Sequence, residues 1–394
     1  MPILSRVGTG LFLKSAGGGG AAEPGEAVFH ADNGSDPRTT WNNQTTHNWT
    51  VPDGVTSISV VCVGGGGGGQ PDHDGASGCG GSLAYKNNIA VTPGETVTVV
   101  VGGGGFEENW GGTYGMAGED SRIDYDGTTG LVRGKGGARA DKGQANGFIS
   151  NGSQASNVTG DGGGSGGSGV AWGGCRQGGG AAGGYGGGGL YVNGTPGNVQ
   201  YSGYNSTSGT GGGGGGGGSS NGSSNYYSGG GGGTGIYGTA TDGAGAQNTS
   251  SPGDSYAYCG KGGSRDPWTT ETNGLSVSTY IHYTGLRGYT NDQPTSQIAS
   301  VDAGGSDLNN LYFRGNYTQG AGSRRPDGGF PGGGGGGGNS GSPAGAGGNG
   351  VVRIVWGTIN SMTREFPNQG VNMTNQYPGL TGNTPTVYGL QRMY

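Results

Sequence analysis

The sequence predicts a mainly β and irregular chain, with a small β assembly joined to packed polyglycine II type segments and long polar loops between them. Three observations carry this expectation. Glycine supplies 107 of the 394 residues and proline another 16, a level associated with low complexity or disorder. Hydrophobic residues make up only 29% and charged residues 11%, so a folded chain of this composition cannot rest on a large apolar core. Three separated stretches nevertheless alternate with the period of a strand.

Residues 1–48 are read as an attachment segment. Their early apolar positions, Ile3, Leu4, Val7, Leu11, Phe12 and Leu13, recur at mixed spacing and define neither helix nor strand. The next section, 49–357, opens sharply with Trp49-Thr50-Val51-Pro52-Asp53-Gly54, which ends in a turn signal. Residues 55–63 then place Ile58, Val60 and Cys62 on one face and Ser57, Ser59 and Val61 on the other, which predicts a strand. In Ala90-Val91-Thr92-Pro93-Gly94-Glu95 the Pro and Gly stand where a type II turn wants them. Residues 96–101 alternate again through Val97, Val99 and Val101, so a hairpin ending in glycines is expected there. A third strand is expected at 351–356, with Val352, Ile354 and Trp356 sharing a face. Each of the three has one small apolar face, and together they are expected to form one β assembly.

Between these strands, runs such as 64–69, 211–218 and 332–338 are pure glycine, without the Gly-X-Y period of collagen. Fixing so much glycine costs more conformational entropy than fixing any other residue, and near-complete backbone pairing has to offset it. Polyproline II geometry has three residues per turn and no internal hydrogen bonds. Such runs must bond sideways, and their lack of side chains lets neighbours approach on every side. The runs are expected to lie side by side. The intervening loops are rich in Tyr, Ser, Thr and Asn, and a longer insertion spans 266–325. After Trp356 the composition turns to Asn, Thr and Pro, which reads as an extended arm over 358–394.

Charge and motifs argue against several functions. The formal net charge is -6, unsuited to a nucleic-acid partner held by phosphate neutralisation. Cys62, Cys79, Cys175 and Cys259 are far apart with no C-x-x-C pair, so buried single thiols are expected rather than zinc ligands or disulfides. No stretch has the length of a membrane span, and Gly8 and Gly10 interrupt the apolar opening, which makes a poor signal peptide. His30, His47, His73 and His282 are isolated from any nucleophile motif. Asp72-His73-Asp74 is read as a loop, since adjacent residues rarely converge on one ion. Asp124-Tyr125-Asp126-Gly127 echoes the start of a calcium loop but lacks the later ligands. Glu107 and Glu108 are neighbours rather than a catalytic pair. No enzyme activity, cofactor or metal is expected.

The stretch from Trp49 through Ile58 and Val60 into run 64–69, followed by Val91-Thr92-Pro93-Gly94-Glu95-Thr96, resembles the glycine-rich domain of phage tail and fibre proteins. Gly350-Val351-Val352-Arg353-Ile354-Val355-Trp356-Gly357 and the following Phe366-Pro367 resemble the end of that domain in cyanophage structural proteins. The resemblance covers roughly residues 49–370. It implies a virion protein assembled in the host cytoplasm, a tail-fibre or adhesin-type component with polyglycine II helices in a layered array and receptor-binding loops. The implied partners are other virion proteins, further copies of the chain, and a host cell-surface polysaccharide or outer-membrane protein. Tyr191, Tyr201, Tyr204, Tyr226, Tyr227, Trp268, Tyr280, Tyr283 and Tyr289 are the candidate receptor contacts, because Tyr with Ser, Gly and Asn suits recognition surfaces. The same tyrosines could instead cover glycine backbones from water. A self-assembling filament or capsid or appendage subunit without a receptor role is the alternative, and an ice- or surface-binding protein a third.

Overall fold

A computed structural model describes residues 22–31, 44–69, 78–106, 116–139, 148–149, 159–167, 169–170, 231, 233–234, 236, 328–329, 331–336, 344–359, 361–367, 369, 371 and 386–388. Two mainly antiparallel sheets face each other. The first has the order β14-β1-β11-β3-β4-β9, formed by Thr386–Tyr388, Gly25–His30, Val351–Trp356, Ser57–Val63, Leu83–Ala90 and Gly162–Gly164. The second has the order β2-β5-β6-β7, formed by Thr45–Thr50, Thr96–Val101, Ser121–Tyr125 and Thr128–Gly134. Two small pairs, β8 (Phe148–Ile149) with β10 (Gly169–Val170) and β12 (Thr358–Ile359) with β13 (Met362–Thr363), lie outside these sheets.

The alternation read from the sequence sets the core. Ile58, Val60 and Cys62 of β3, and Val352 and Ile354 of β11, meet Val97, Val99 and Val101 of β5 with Trp49, Ile123 and Val132. Trp356 packs against this cluster, and its ring lies 5.5 Å from that of Trp49. The predicted assembly of three strands is therefore present, with β3 and β11 paired and β5 in the facing sheet.

The expected hairpin is corrected. β4 pairs with β3 and β9, while β5 pairs with β2 and β6, so the turn between β4 and β5 crosses from one sheet to the other. The turn itself is as read: Glu95 N donates to Thr92 O at 3.1 Å, with Gly94 at φ 85°. The Pro52-Asp53-Gly54 turn makes the same crossing between β2 and β3, with Val55 N donating to Pro52 O. The two crossings are stitched together by Val51 N to Glu95 O, Gly94 N to Val51 O and Val91 N to Thr56 O. A local turn signal fixes the reversal but not the sheet that receives the chain.

The boundary drawn at residue 48 falls within β2, and β1 lies before it, so the stretch preceding Trp49 supplies two sandwich strands. The echo of a calcium loop at 124–127 is a two-residue hairpin turn: Tyr125 pairs with Thr128, and Asp126 and Gly127 have φ of 49° and 71°. Positive φ at both central residues is the geometry that Asp-Gly favours in tight hairpins.

Candidate functional site: a glycine array built on the sandwich

The strands do not stop at the edge of the core. β3 runs into residues 64–69, β5 into 102–106 and β7 into 135–139, while 78–82, 116–120 and 344–350 lead back into β4, β6 and β11. Outgoing and returning runs alternate, and a further run at 331–336 bonds among them.

Run 64–69 shows how the array is held. Gly64 and Gly67 donate to Ser82 and Cys79; Gly65 and Gly68 donate to Glu119 and Met116; Gly66 and Gly69 donate to Gly348 and Gly345. The partner changes at each residue and returns every third, which is the screw of polyglycine II. The carbonyls of Gly65, Gly66 and Gly67 accept from Gly137, Gly105 and Gly335, so three further runs close the ring around it. A strand bonds to two neighbours in a plane, whereas this run bonds to six.

That change of period lets the two sheets fuse. Within the sandwich, side chains fill a gap of about 10 Å between sheets. Beyond it, run 64–69 from the first sheet bonds directly to 102–106, 116–120 and 135–139 from the second. No side chain fits between them: a Cβ on Gly65, Gly66 or Gly67 would collide with the carbonyl of Gly103, Gly333 or Ala138. Runs 64–69 and 333–336 thus lie as the sequence predicts, whereas Gly332 is a turn residue at φ 79°; 337–338 and 211–218 fall outside the described residues.

Side chains reappear at the seam between strand and run. Ser121 Oγ accepts from Gly102 N at 2.9 Å, Asn349 Oδ1 from Gly104 N at 2.9 Å, and Asp120 Oδ1 from Gly136 N at 2.9 Å. Ser82 Oγ accepts from Lys135 N at 2.7 Å. Each acceptor lies where a returning chain enters its strand, and each donor where an outgoing chain has just left one. These groups take up amides that the ladder no longer pairs. Sequence reasoning missed them, because nothing local marks a Ser or Asn as a seam residue.

Beneath the array, Glu26 of β1 accepts from Arg353 at 2.5 Å and from Arg364 at 2.9 Å, with both guanidiniums buried. Burial alone would raise the Glu26 carboxyl, but the two guanidiniums and their hydrogen bonds hold it below the usual range. Arg364 also donates to Gly25 O, and Arg353 donates to Ile236 O and lies over the Phe366 ring. Asn87 of β4 clamps Phe366 through both its amide N and its carbonyl O. These contacts strap the stretch 357–367 to the first sheet.

Cys62 and Cys79 are buried and not joined in a disulfide, as expected of single thiols. Burial, with a smaller effect of Asp124, pushes the Cys62 thiol far up, so it is a core side chain rather than a nucleophile. Burial also raises the Glu119 carboxyl, helped by Asp120 and opposed by the Gly103 amide. His47 Nε2 and the His30 carbonyl are 2.9 Å apart, a link between β2 and β1. Among the described residues no group of three or more His, Cys, Asp or Glu could hold a metal ion.

The nine aromatic receptor candidates, Tyr191 to Tyr289, lie outside the described residues, as do His73, His282, Cys175, Cys259, Asp72, Asp74, Glu107 and Glu108. The last described residues of three outgoing runs are Gly69, Phe106 and Arg139, and the first described residues of three returning ones are Gly78, Met116 and Ala344. The antiparallel bonds of 64–69 with 78–82 and of 102–106 with 116–120 put these ends together, on the side away from the sandwich.

Fold and array define a class: a β-sandwich whose strands extend into a lattice of backbone-bonded glycine helices. The model of a glycine-rich domain family matches residues 39–264, more than half of the chain, and the chain belongs to that family. No curated protein matches it.

Proposed function

We propose that this glycine-rich protein is a non-enzymatic structural component of a tailed-phage particle, a tail-fibre or adhesin-type subunit that contributes to host attachment. The observation that carries the reading is the shared direction of the run ends. A lattice held by backbone bonds brings the described ends of several runs to one side of a rigid body, and the sequence that follows them, 70–77 after Gly69 and 107–115 after Phe106, is polar. Recognition surfaces are commonly built this way, from adaptable segments on a fixed scaffold. The target is a host cell-surface polysaccharide or outer-membrane protein, and the acidic balance of the chain argues against a nucleic-acid partner. Attachment to other virion proteins is assigned to the stretch before β1, since β1 and β2 belong to the sandwich.

The test is adsorption. In phage particles carrying the protein, replacement of Tyr201, Tyr204, Tyr226 and Tyr227 by Ala should abolish adsorption to host cells while particle yield stays unchanged. Normal adsorption would leave these tyrosines a structural role. A protein absent from purified particles would remove the virion reading altogether.

A further inference from the structure

β14 differs from the other strands of the sandwich. It adds to β1 in parallel, with Thr386 opposite Ala27, Val387 opposite Val28 and Tyr388 opposite Phe29. The other described strand pairs are all antiparallel. It is also the outermost strand of its sheet, and the chain reaches it only through residues 372–385 after Val371.

The edge it covers is an adhesive one. Ala27, Val28 and Phe29 are fully buried, so β1 without a neighbour would present a row of open backbone groups beside apolar side chains. An edge of that kind is a template for another strand. The cover is slight, since three residue pairs on a six-residue strand contribute a few hydrogen bonds of about 1 kcal/mol net each. Pairing of β14 with β1 is in effect the binding of a tethered segment to a preformed edge. Within one chain a short tether supplies an effective concentration on the order of millimolar. Between chains, a second copy at a comparable concentration competes for the same edge.

We infer that the β1 edge also accepts this segment from a second copy of the chain, residues 386–388 of one subunit pairing with β1 of the next. Main-chain bonds carry the contact, as in other recognition by strand addition. Donor segment and acceptor edge are different surfaces, so the contact is heterologous and passes from copy to copy, closing into a ring or continuing as a row. It operates independently of what the polar connections of the array recognise.

The experiment uses the full chain with Cys175 and Cys259 changed to Ser, leaving the buried Cys62 and Cys79 in place. One preparation carries Val28→Cys and another Val387→Cys. Mixed at rising concentration under mild oxidation, they should give a disulfide-linked species of twice the chain mass on a non-reducing gel. Neither preparation alone should do so. A chain carrying both changes should close internally when dilute. A mixture that stays monomeric while the double variant closes would mean the edge is filled only within one chain, and would overturn the inference. Failure of the double variant to close would overturn it too, by removing the pairing on which it rests.

Discussion

The sandwich and the array are built from the same strands, yet opposite forces hold them. In the sandwich, side chains such as Val60, Val99 and Ile354 fill the space between sheets, and burial of apolar surface supplies the stability. In the array that space is gone, and amides of one sheet's runs bond to carbonyls of the other's. The sandwich tolerates a change of side chain at the cost of a cavity. Run 64–69 has no side chain to change, and at Gly65, Gly66 and Gly67 there is no room to add one. A low-hydrophobicity chain can thus be rigid where backbone pairing is three-dimensional rather than planar.

The sharpest way to break the comparison is to place a methyl group in the lattice. Gly66→Ala drives a Cβ against the carbonyl of Gly333, which is itself held by Gly348 N. It should cost on the order of 4 kcal/mol or more, the range reserved for severe steric mechanisms, read as a large fall in the denaturant midpoint. Ile354→Ala removes side-chain volume from the sandwich instead and should cost about 3 kcal/mol. That loss should leave amide protection in run 64–69 largely in place.

The buried ion cluster tests how the strap is fixed to the sandwich. Glu26→Gln leaves Arg353 and Arg364 without their counter-charge and should cost about 3 kcal/mol at neutral pH. The folded-state carboxyl lies below its unfolded value. Its contribution is therefore present above the unfolded value of about 4.3 and lost as pH falls through the folded one. Wild type and variant should converge in denaturant melts on acidification. The smallest effect should come from Gly94→Ala, where an added Cβ meets open space but φ is 85°; about 1 kcal/mol is expected from the left-handed backbone alone. The same replacement thus separates lattice from turn.

Part of this design was legible in the sequence. Alternation at 57–63, 96–101 and 351–356 gave the inward faces, because a period of two admits only one set of core residues. Pure glycine runs demanded lateral partners, since polyglycine II has no bonds of its own. Register within the array was hidden, because identical glycines carry no side-chain information about which run pairs with which. β1, β2, β6 and β7 went unread: Thr45–Thr50 is largely polar, and Ser121–Tyr125 and Thr128–Gly134 interleave Arg, Asp and Gly with few apolar residues. Arg353 sits between Val352 and Ile354 in an apolar strand, and its partner Glu26 lies far away in sequence. The candidate tyrosines of the proposed recognition surface fall outside the described residues.

Hydrogen exchange measured amide by amide tests the central claim most directly. If the glycine helices form a backbone-bonded lattice, the amides of 64–69 and 345–350 should be protected to the level of β3 and β11, and should lose that protection in Gly66→Ala. Exchange of those glycine amides at the rate of an unstructured chain, beside a protected sandwich, would contradict it.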